Sequence, residues 1–330
     1  MNFNRIFSIF PIILAGLSSY ACFSRTAIPY KQEILPISLE KPKNGLRMEV
    51  FLTGRMFVDA WAAYIGGKGK LLMDQPAYLI THPTYGQIAF EAGHHSEIAT
   101  SPSEHLGWIY KFGLMPMEQD IGQDFRQQLI NKGKDPNQIK DIIISHFHPE
   151  HVGAVEEFPK ARIVADKKEI EHGKKAPNYN YVPSEYDQVP NWYPIQFSGS
   201  QQFAPFEGVY DLVGDGSILV LSTPGHTPGH ISLLVNLESG PILLTGDMAW
   251  TEFNLQTASI GLPFISSDGE KARVSLGKLL KFQKVNPDVL IVPGHDLNPL
   301  RRIDRKLSLI HISEPTRLRR ISYAVFCLKK

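Results

Sequence analysis

Cysteine is almost absent from this chain. Among 330 residues only Cys22 and Cys327 occur, one near each end, so no internal disulfide framework holds the fold together. An excess of one charge is missing as well: 34 Lys and Arg stand against 33 Asp and Glu, and no basic stripe suggests nucleic acid. The one mainly apolar run, Ile6 to Leu17, falls short of the roughly 20 residues that span a bilayer. No Gly-rich nucleotide motif is found. Stability must therefore come from a hydrophobic core, and chemistry from the chain's own side chains or from bound ions.

The two ends are set apart from the fold. Arg5, the apolar run and Ser18-Ser19-Tyr20-Ala21-Cys22 have the layout of a secretory signal over residues 1–21, with Ser19 and Ala21 as the small residues that a signal peptidase reads. Cys22 is alternatively the acylated cysteine of a lipoprotein, although Ser19 and Tyr20 depart from that motif. Export to the periplasm or the outside is the expectation, with membrane contact only through this signal or a lipid anchor at Cys22. Residues 307–330 resemble a translated sequencing-adapter read-through and are read as foreign to the fold, the alternative being a basic C-terminal helix. Without Arg5, Arg317, Arg319, Arg320, Lys329 and Lys330, and without Glu314, 28 basic and 32 acidic residues leave a net charge of −4.

Residues 22–45, with Pro29, Pro36 and Pro42, read as an extended lead-in, and residues 46–306 as one α/β domain. Strands are expected at 48–52, 77–81, 87–91, 141–145, 161–165, 217–221, 230–235, 241–244 and 289–292. Helices are expected at 121–132, with Phe125, Leu129 and Ile130 on one face, and at 152–158, 167–175 and 271–282. Residues 177–206 hold Tyr179, Tyr181, Tyr186, Trp192, Tyr193, Phe197, Phe203 and Phe206 among prolines. That stretch reads as an aromatic-rich insertion, either a lid or wall of a pocket or simply packing against the domain.

The chemistry concentrates in His146-Phe147-His148-Pro149-Glu150-His151, directly after the run Asp141-Ile142-Ile143-Ile144-Ser145. In an extended exit from a strand, His146 and His148 point the same way and can face one ion. Glu150 and His151 diverge, which suits a second ion nearby. Imidazole with carboxylate suits zinc, with iron, manganese or cobalt as alternatives. His94 and His95 lack a carboxylate at ligand spacing and are expected to line the mouth of the site. Further candidates each follow a strand: Thr223-Pro224-Gly225-His226-Thr227-Pro228-Gly229-His230, Gly246-Asp247 and Gly294-His295-Asp296.

This ordered set, over roughly residues 47–300, resembles the metallo-β-lactamase superfamily, whose pattern is HxHxDH, a single His, a bridging Asp and a final His. The doubled Thr-Pro-Gly-His and closing Gly-His-Asp look most like the N-acyl homoserine lactonase-type branch. The resemblance implies a four-layer αββα sandwich with mixed sheets and helices on the outer faces. It also implies two divalent cations: one on His146, His148 and His226, the other on Glu150, His151 and His295, with Asp247 bridging and catalytic. His230 matches no ligand and is expected to act behind the site, while Asp296 would orient His295 or its loop.

Three residues depart from the pattern. Glu150 stands where the family has Asp, its extra methylene adding about 1.5 Å of reach, so a displaced, weaker or absent second ion is the expectation. Glu91 likewise replaces Asp in an Asp-Thr-Gly turn. Trp250, three residues after the bridging Asp, replaces a tyrosine that contacts substrate in quorum-signal lactonases, and offers an N–H but no hydroxyl.

The function implied is an exported hydrolase that opens a lactone or related ester with a hydroxide shared by two cations. A small molecule is the expected partner, and the oligomeric state is left open. A β-lactamase, which would lack Asp247, and a glyoxalase-II-like thioesterase are the enzyme alternatives. A non-catalytic metal-binding protein with a lapsed second site is the alternative from another class.

Overall fold

The computed structural model describes residues 24–39, 44–107, 117–175, 180–197, 203–307 and 310–313. The expected signal and Tyr179 lie outside them. Two mixed sheets face each other. The first is formed by β1 (Arg47–Asp59), β2 (Lys70–His82), β3 (Gly86–Phe90), β4 (Met117–Glu118), β5 (Ile139–Ile143), β6 (Arg162–Asp166), β7 (Trp192–Ile195) and β13 (Ile310–Ser313). Its order is β13-β1-β2-β3-β5-β6-β7, with β4 also paired to β1. The second runs β12-β11-β10-β9-β8, formed by β8 (Val209–Asp211), β9 (Ile218–Ser222), β10 (Ile231–Leu237), β11 (Gly240–Leu244) and β12 (Leu290–Val292).

The helices are α1 (Ala60–Ala63), α2 (Pro102–His105), α3 (Phe125–Asn131), α4 (Pro149–Val152), α5 (Lys167–Gly173), α6 (Glu252–Gln256), α7 (Gly269–Val285) and α8 (Asn298–Leu307). Among the described residues no helix is long and apolar enough to cross a membrane.

Period-two side-chain alternation builds the layers. On β1, Val50 and Leu52 face the second sheet and meet Val220, Leu233 and Leu244, whereas Phe51 faces outward onto Phe125 and Leu129 of α3. On β10, Ile231, Leu233 and Val235 point into that same interior, and Leu234 points outward to Leu276, Leu279 and Phe282 of α7. Both faces of each sheet are covered, which explains why the central strands are near-continuous apolar runs. Helices on both outer faces make this the expected αββα sandwich.

Local departures have local causes. α3 starts at Phe125 rather than Ile121, because Asp124 caps it by accepting the Gln127 N–H at 2.7 Å. Ile130 is consequently turned outward, while Phe125 and Leu129 are buried. The expected helix at 152–158 is broken into α4 and a 3₁₀ turn, Val155–Glu157. The segment 177–206 does not stand apart, since β7 within it pairs in parallel with β6, and Trp192 stacks on Phe147 with centroids 4.8 Å apart. In the tail, Ile310–Ser313 pairs in parallel with β1, an edge contact of backbone groups that is indifferent to side-chain identity.

The lead-in is extended and anchored. Ala27 N–H donates to Ala258 O at 2.7 Å, Ile28 N–H to Arg273 O at 3.0 Å, and Ile37 N–H to the Asn286 side chain at 2.7 Å. Gly277 of α7 lets this strap close in, because a Cβ there would lie 1.7 Å from Ile28 O. Gly→Ala in an exposed helix ordinarily gains about 1 kcal/mol. Gly277→Ala is expected to do the opposite, lowering Tm and exposing residues 24–39 to limited proteolysis; a raised Tm would show that the strap does not dock here.

Candidate metal centre

Every expected ligand lies on a loop at the end of a strand, and the sandwich brings these loops together. His146 and His148 follow β5, with Glu150 and His151 in the first turn of α4. His226 lies between β9 and β10, Asp247 follows β11, and His295 follows β12. All seven are buried. One ligand atom from each of His146, His148, His226 and Asp247 falls within 4.8 Å of the others, and so does one from each of Glu150, His151, Asp247 and His295.

Asp247 joins the two groups through different oxygens. Its Oδ2 lies 3.2 Å from His226 Nε2 and 3.9 Å from His146 Nε2, whereas Oδ1 lies 3.0 Å from His295 Nε2 and 3.4 Å from His151 Nε2. His148 Nδ1 and His226 Nε2 face each other at 3.1 Å. Several buried atoms pointing inward have no hydrogen-bond partner among the described residues: His146 Nε2, His151 Nε2, Glu150 Oε2 and Asp247 Oδ1. Buried polar atoms are ordinarily satisfied, so orphans on both sides of one carboxylate fit two cations. Glu150 reaches the second group, with one oxygen within 4.8 Å of ligand atoms of His151, Asp247 and His295.

Electrostatics set the two groups apart. Burial drives His146 and His148 well below the usual imidazole range, and His226 down to about 4, leaving them neutral with lone pairs available. Burial would raise Asp247, but His295, His151 and His226 hold it well below the ordinary carboxylate value. Burial lowers His151 and His295, yet Glu91 with Asp247, and Asp247 respectively, push them above the usual value. Glu150 is raised by burial.

Three of the rings have an oxygen near their far nitrogen. Ser145 Oγ lies 2.9 Å from His146 Nδ1, and Glu91 Oε1 lies 3.1 Å from His151 Nδ1. His295 Nδ1 donates to Asp74 O at 3.0 Å, so the partner of this imidazole is a backbone carbonyl. Asp296 acts on the loop alone, accepting the N–H groups of Glu252 at 3.1 Å and Asn298 at 3.0 Å. Glu91 sits at φ 62°, a left-handed backbone costing an ordinary residue roughly 1–2 kcal/mol. Its other oxygen accepts the Ser145 N–H at 3.2 Å, so one strained residue steadies both ends of the histidine loop.

His230 acts behind the site as expected. Burial takes it down to about 3, and its neutral Nε2 accepts the Asp247 N–H at 2.9 Å while Nδ1 faces Thr223 Oγ1 at 2.8 Å. Gly246, at φ 51°, leaves room for this ring, since a Cβ would lie 2.8 Å from Nε2.

His94 and His95 correct the sequence reading. Both are buried rather than at a mouth, and His95 does have carboxylates, with Nε2 3.0 Å from Glu156 Oε1. His95, Glu97 and His105 also cluster within 4.8 Å. A cation does not suit them. His95 Nδ1 already accepts the Glu97 N–H at 3.2 Å, and its ring stacks on His105 at 4.4 Å and 11°, so the in-plane lone pairs run parallel and cannot converge.

Residues 115–295 match the model of the metallo-beta-lactamase superfamily. The chain belongs to that superfamily, within its lactonase-type branch. It is 34% identical over 228 residues to the N-acyl homoserine lactonase AttM of Rhizobium radiobacter, spanning 67% of this chain and 81% of that one. A Bacillus N-acyl homoserine lactonase is 32% identical over 170 residues, spanning 51% of this chain and 60% of its own. Among solved structures, an N-acyl homoserine lactone hydrolase with N-hexanoyl-L-homoserine at its catalytic metal centre superposes with a TM-score of 0.64 at 23% identity, covering 81% of this chain and 97% of that one. AidC, a dizinc quorum-quenching lactonase, gives 0.55 at 16%, covering 84% and 93%. These two likenesses concern the fold.

Glu169 was invisible to motif reading. Fully buried on α5, it accepts the Phe147 N–H at 3.0 Å with one oxygen and the Gly229 N–H at 3.1 Å with the other, tying the His146–His151 loop to the Thr223–His230 loop. Burial raises it from 4.5 to about 7, so the metal-free fold holds its proton more tightly than the unfolded chain does. Its contribution to stability is therefore greatest below 4.5 and falls as pH rises through about 7. Glu169→Gln should flatten that slope in Tm against pH. It should also weaken metal affinity by roughly 10–100-fold, because an amide NH₂ cannot accept the second N–H; unchanged affinity in a metal titration would mean the tie does not position the ligands.

Proposed function

We propose that this chain is a metal-dependent hydrolase that opens lactones, with N-acyl homoserine lactones the first substrates to test. His146, His148, His226 and Asp247 would hold one ion and Glu150, His151, His295 and Asp247 the other, with zinc the ion best matched to this donor set. The observation that carries the reading is the split of Asp247, one carboxylate oxygen toward each histidine group. The similarity to named lactonases supports the lactone as substrate class.

When bound, a pair of such ions supplies Lewis acidity toward the scissile carbonyl and acidifies water. The chain's own residues do the rest. Asp247, anchored by His230 through its backbone N–H, is fixed between the two groups and can carry a proton from the attacking water to the ring oxygen that leaves as an alkoxide. Trp250, its ring 6.0 Å from His226 and perpendicular to it, forms an apolar wall beside the reacting centre. Tyr181 packs on His148 from the other side, 5.4 Å between centroids, so the aromatic segment also borders the site. Export is proposed with the hydrolase, on the strength of Arg5 and the apolar run that follows it.

Elemental analysis of the purified protein is expected to give near two metals per chain, beside lactone opening in a pH-indicator assay. Asp247→Ala should abolish turnover while circular dichroism stays native; retention of most activity would remove Asp247 from the mechanism. Glu150→Asp withdraws the carboxylate by about 1.5 Å and should lower metal content toward one per chain. Full occupancy in that variant would show that the extra reach of Glu150 is not required.

A further inference from the structure

The proposed reaction leaves the outer end of the β1–β2 hairpin unused. There α1 and the turn that follows carry Trp61, 49% exposed, and Ile65, 44% exposed, and Phe253 of α6, 42% exposed, stacks on Tyr64 with centroids 4.8 Å apart. Three of the seven large hydrophobic side chains that stand exposed among the described residues thus gather at one tip. Exposed Lys68 and Lys70 flank it, Lys70 paired with Asp59 at 3.0 Å.

The path of the chain says what covers this tip. The Arg25 guanidinium donates to Trp61 O at 2.8 Å, Ala62 O at 3.2 Å and Ile260 O at 3.1 Å. The chain that carries the apolar run Ile6 to Leu17 therefore enters the fold beside Trp61. Cys22, the candidate lipid-anchored residue, stands three positions before Arg25 in the sequence, and Arg25 docks beside Trp61. A second copy fits less well: about half of three side chains is on the order of 300 Å², against about 800 Å² per partner in a stable protein interface. A bilayer needs no complementary surface, only side chains such as Trp, Phe and Ile that lodge at the headgroup boundary, with lysines beside the phosphates.

We propose that Trp61, Ile65 and Phe253 dock the protein on a phospholipid bilayer, the hairpin tip dipping into the headgroup boundary. This surface is independent of the lactone reading, and its test does not use activity. Full-length protein is mixed with vesicles of phosphatidylcholine and phosphatidylglycerol, and partitioning is measured by sedimentation for the wild type and for Trp61→Ser with Ile65→Ser. The N-terminal run can itself enter lipid, so a second readout isolates the tip: quenching of tryptophan emission by lipids brominated near the headgroup, in the wild type and in Trp61→Phe. The double variant should partition roughly ten-fold more weakly, and Trp61→Phe should lose the quenching seen in the wild type, with circular dichroism unchanged in both. Quenching decides: if Trp61→Phe is quenched as the wild type is, or the wild type is not quenched at all, the proposal is overturned. A fall in oligomeric mass of the double variant with partitioning unchanged also overturns it, and assigns the tip to a second copy.

Discussion

A single buried carboxylate, Asp247, sets the terms for everything around it. Removing a charge from water is costly, and the fold offsets that cost by surrounding Asp247 with His146, His151, His226 and His295 and by donating its own backbone N–H to His230. The result is an anion held well below its usual pKa. Imidazoles that stay neutral on one side and are pushed toward protonation on the other crowd inward toward it. Such an arrangement is poorly satisfied by protein alone, as the orphaned nitrogens and oxygens record. Divalent cations between those atoms would satisfy both sides at once.

Holding that arrangement requires the loops to be rigid, and the rigidity comes from groups that are not ligands. Glu169 joins two histidine loops through backbone N–H groups, so its effect does not depend on which side chains those positions carry. Glu91 accepts strain in its backbone to reach both His151 and the Ser145 N–H. The Trp250 carbonyl accepts the His295 N–H at 2.8 Å, and Asp74 and His295 exchange backbone and ring hydrogen bonds at 3.0 Å. The first sheet and the second are thus connected at the site by hydrogen bonds as well as by apolar packing.

The strands that bear the site were legible because both faces of each are covered, which writes unbroken apolar runs such as Ile142-Ile143-Ile144 and Leu219-Val220-Leu221 into the sequence. The candidate cluster was legible because imidazoles and carboxylates seldom follow such runs by chance. What could not be read were effects with no local pattern. β1 and β2 extend well past their apolar centres, since pairing between backbones carries them on to Asp59 and Lys70. Glu169 is one glutamate in a polar helix until the fold turns it inward. His95 gained carboxylates from Glu156 and Glu157, 61 and 62 positions away, a distance over which spacing carries no information.

The two glutamates that replace aspartates, Glu91 and Glu150, act on the same group of atoms. Glu91 holds His151 from behind, while Glu150 supplies an oxygen in front, within 4.8 Å of His151, Asp247 and His295. A longer side chain at Glu150 alone would overshoot a group set for aspartate. A longer side chain at Glu91 alone would press His151 forward. With both present, the carboxylate behind and the carboxylate in front reach His151 together, and the group remains compact. Both carboxylates thus bear on His151, one from behind and one in front, within the same compact group.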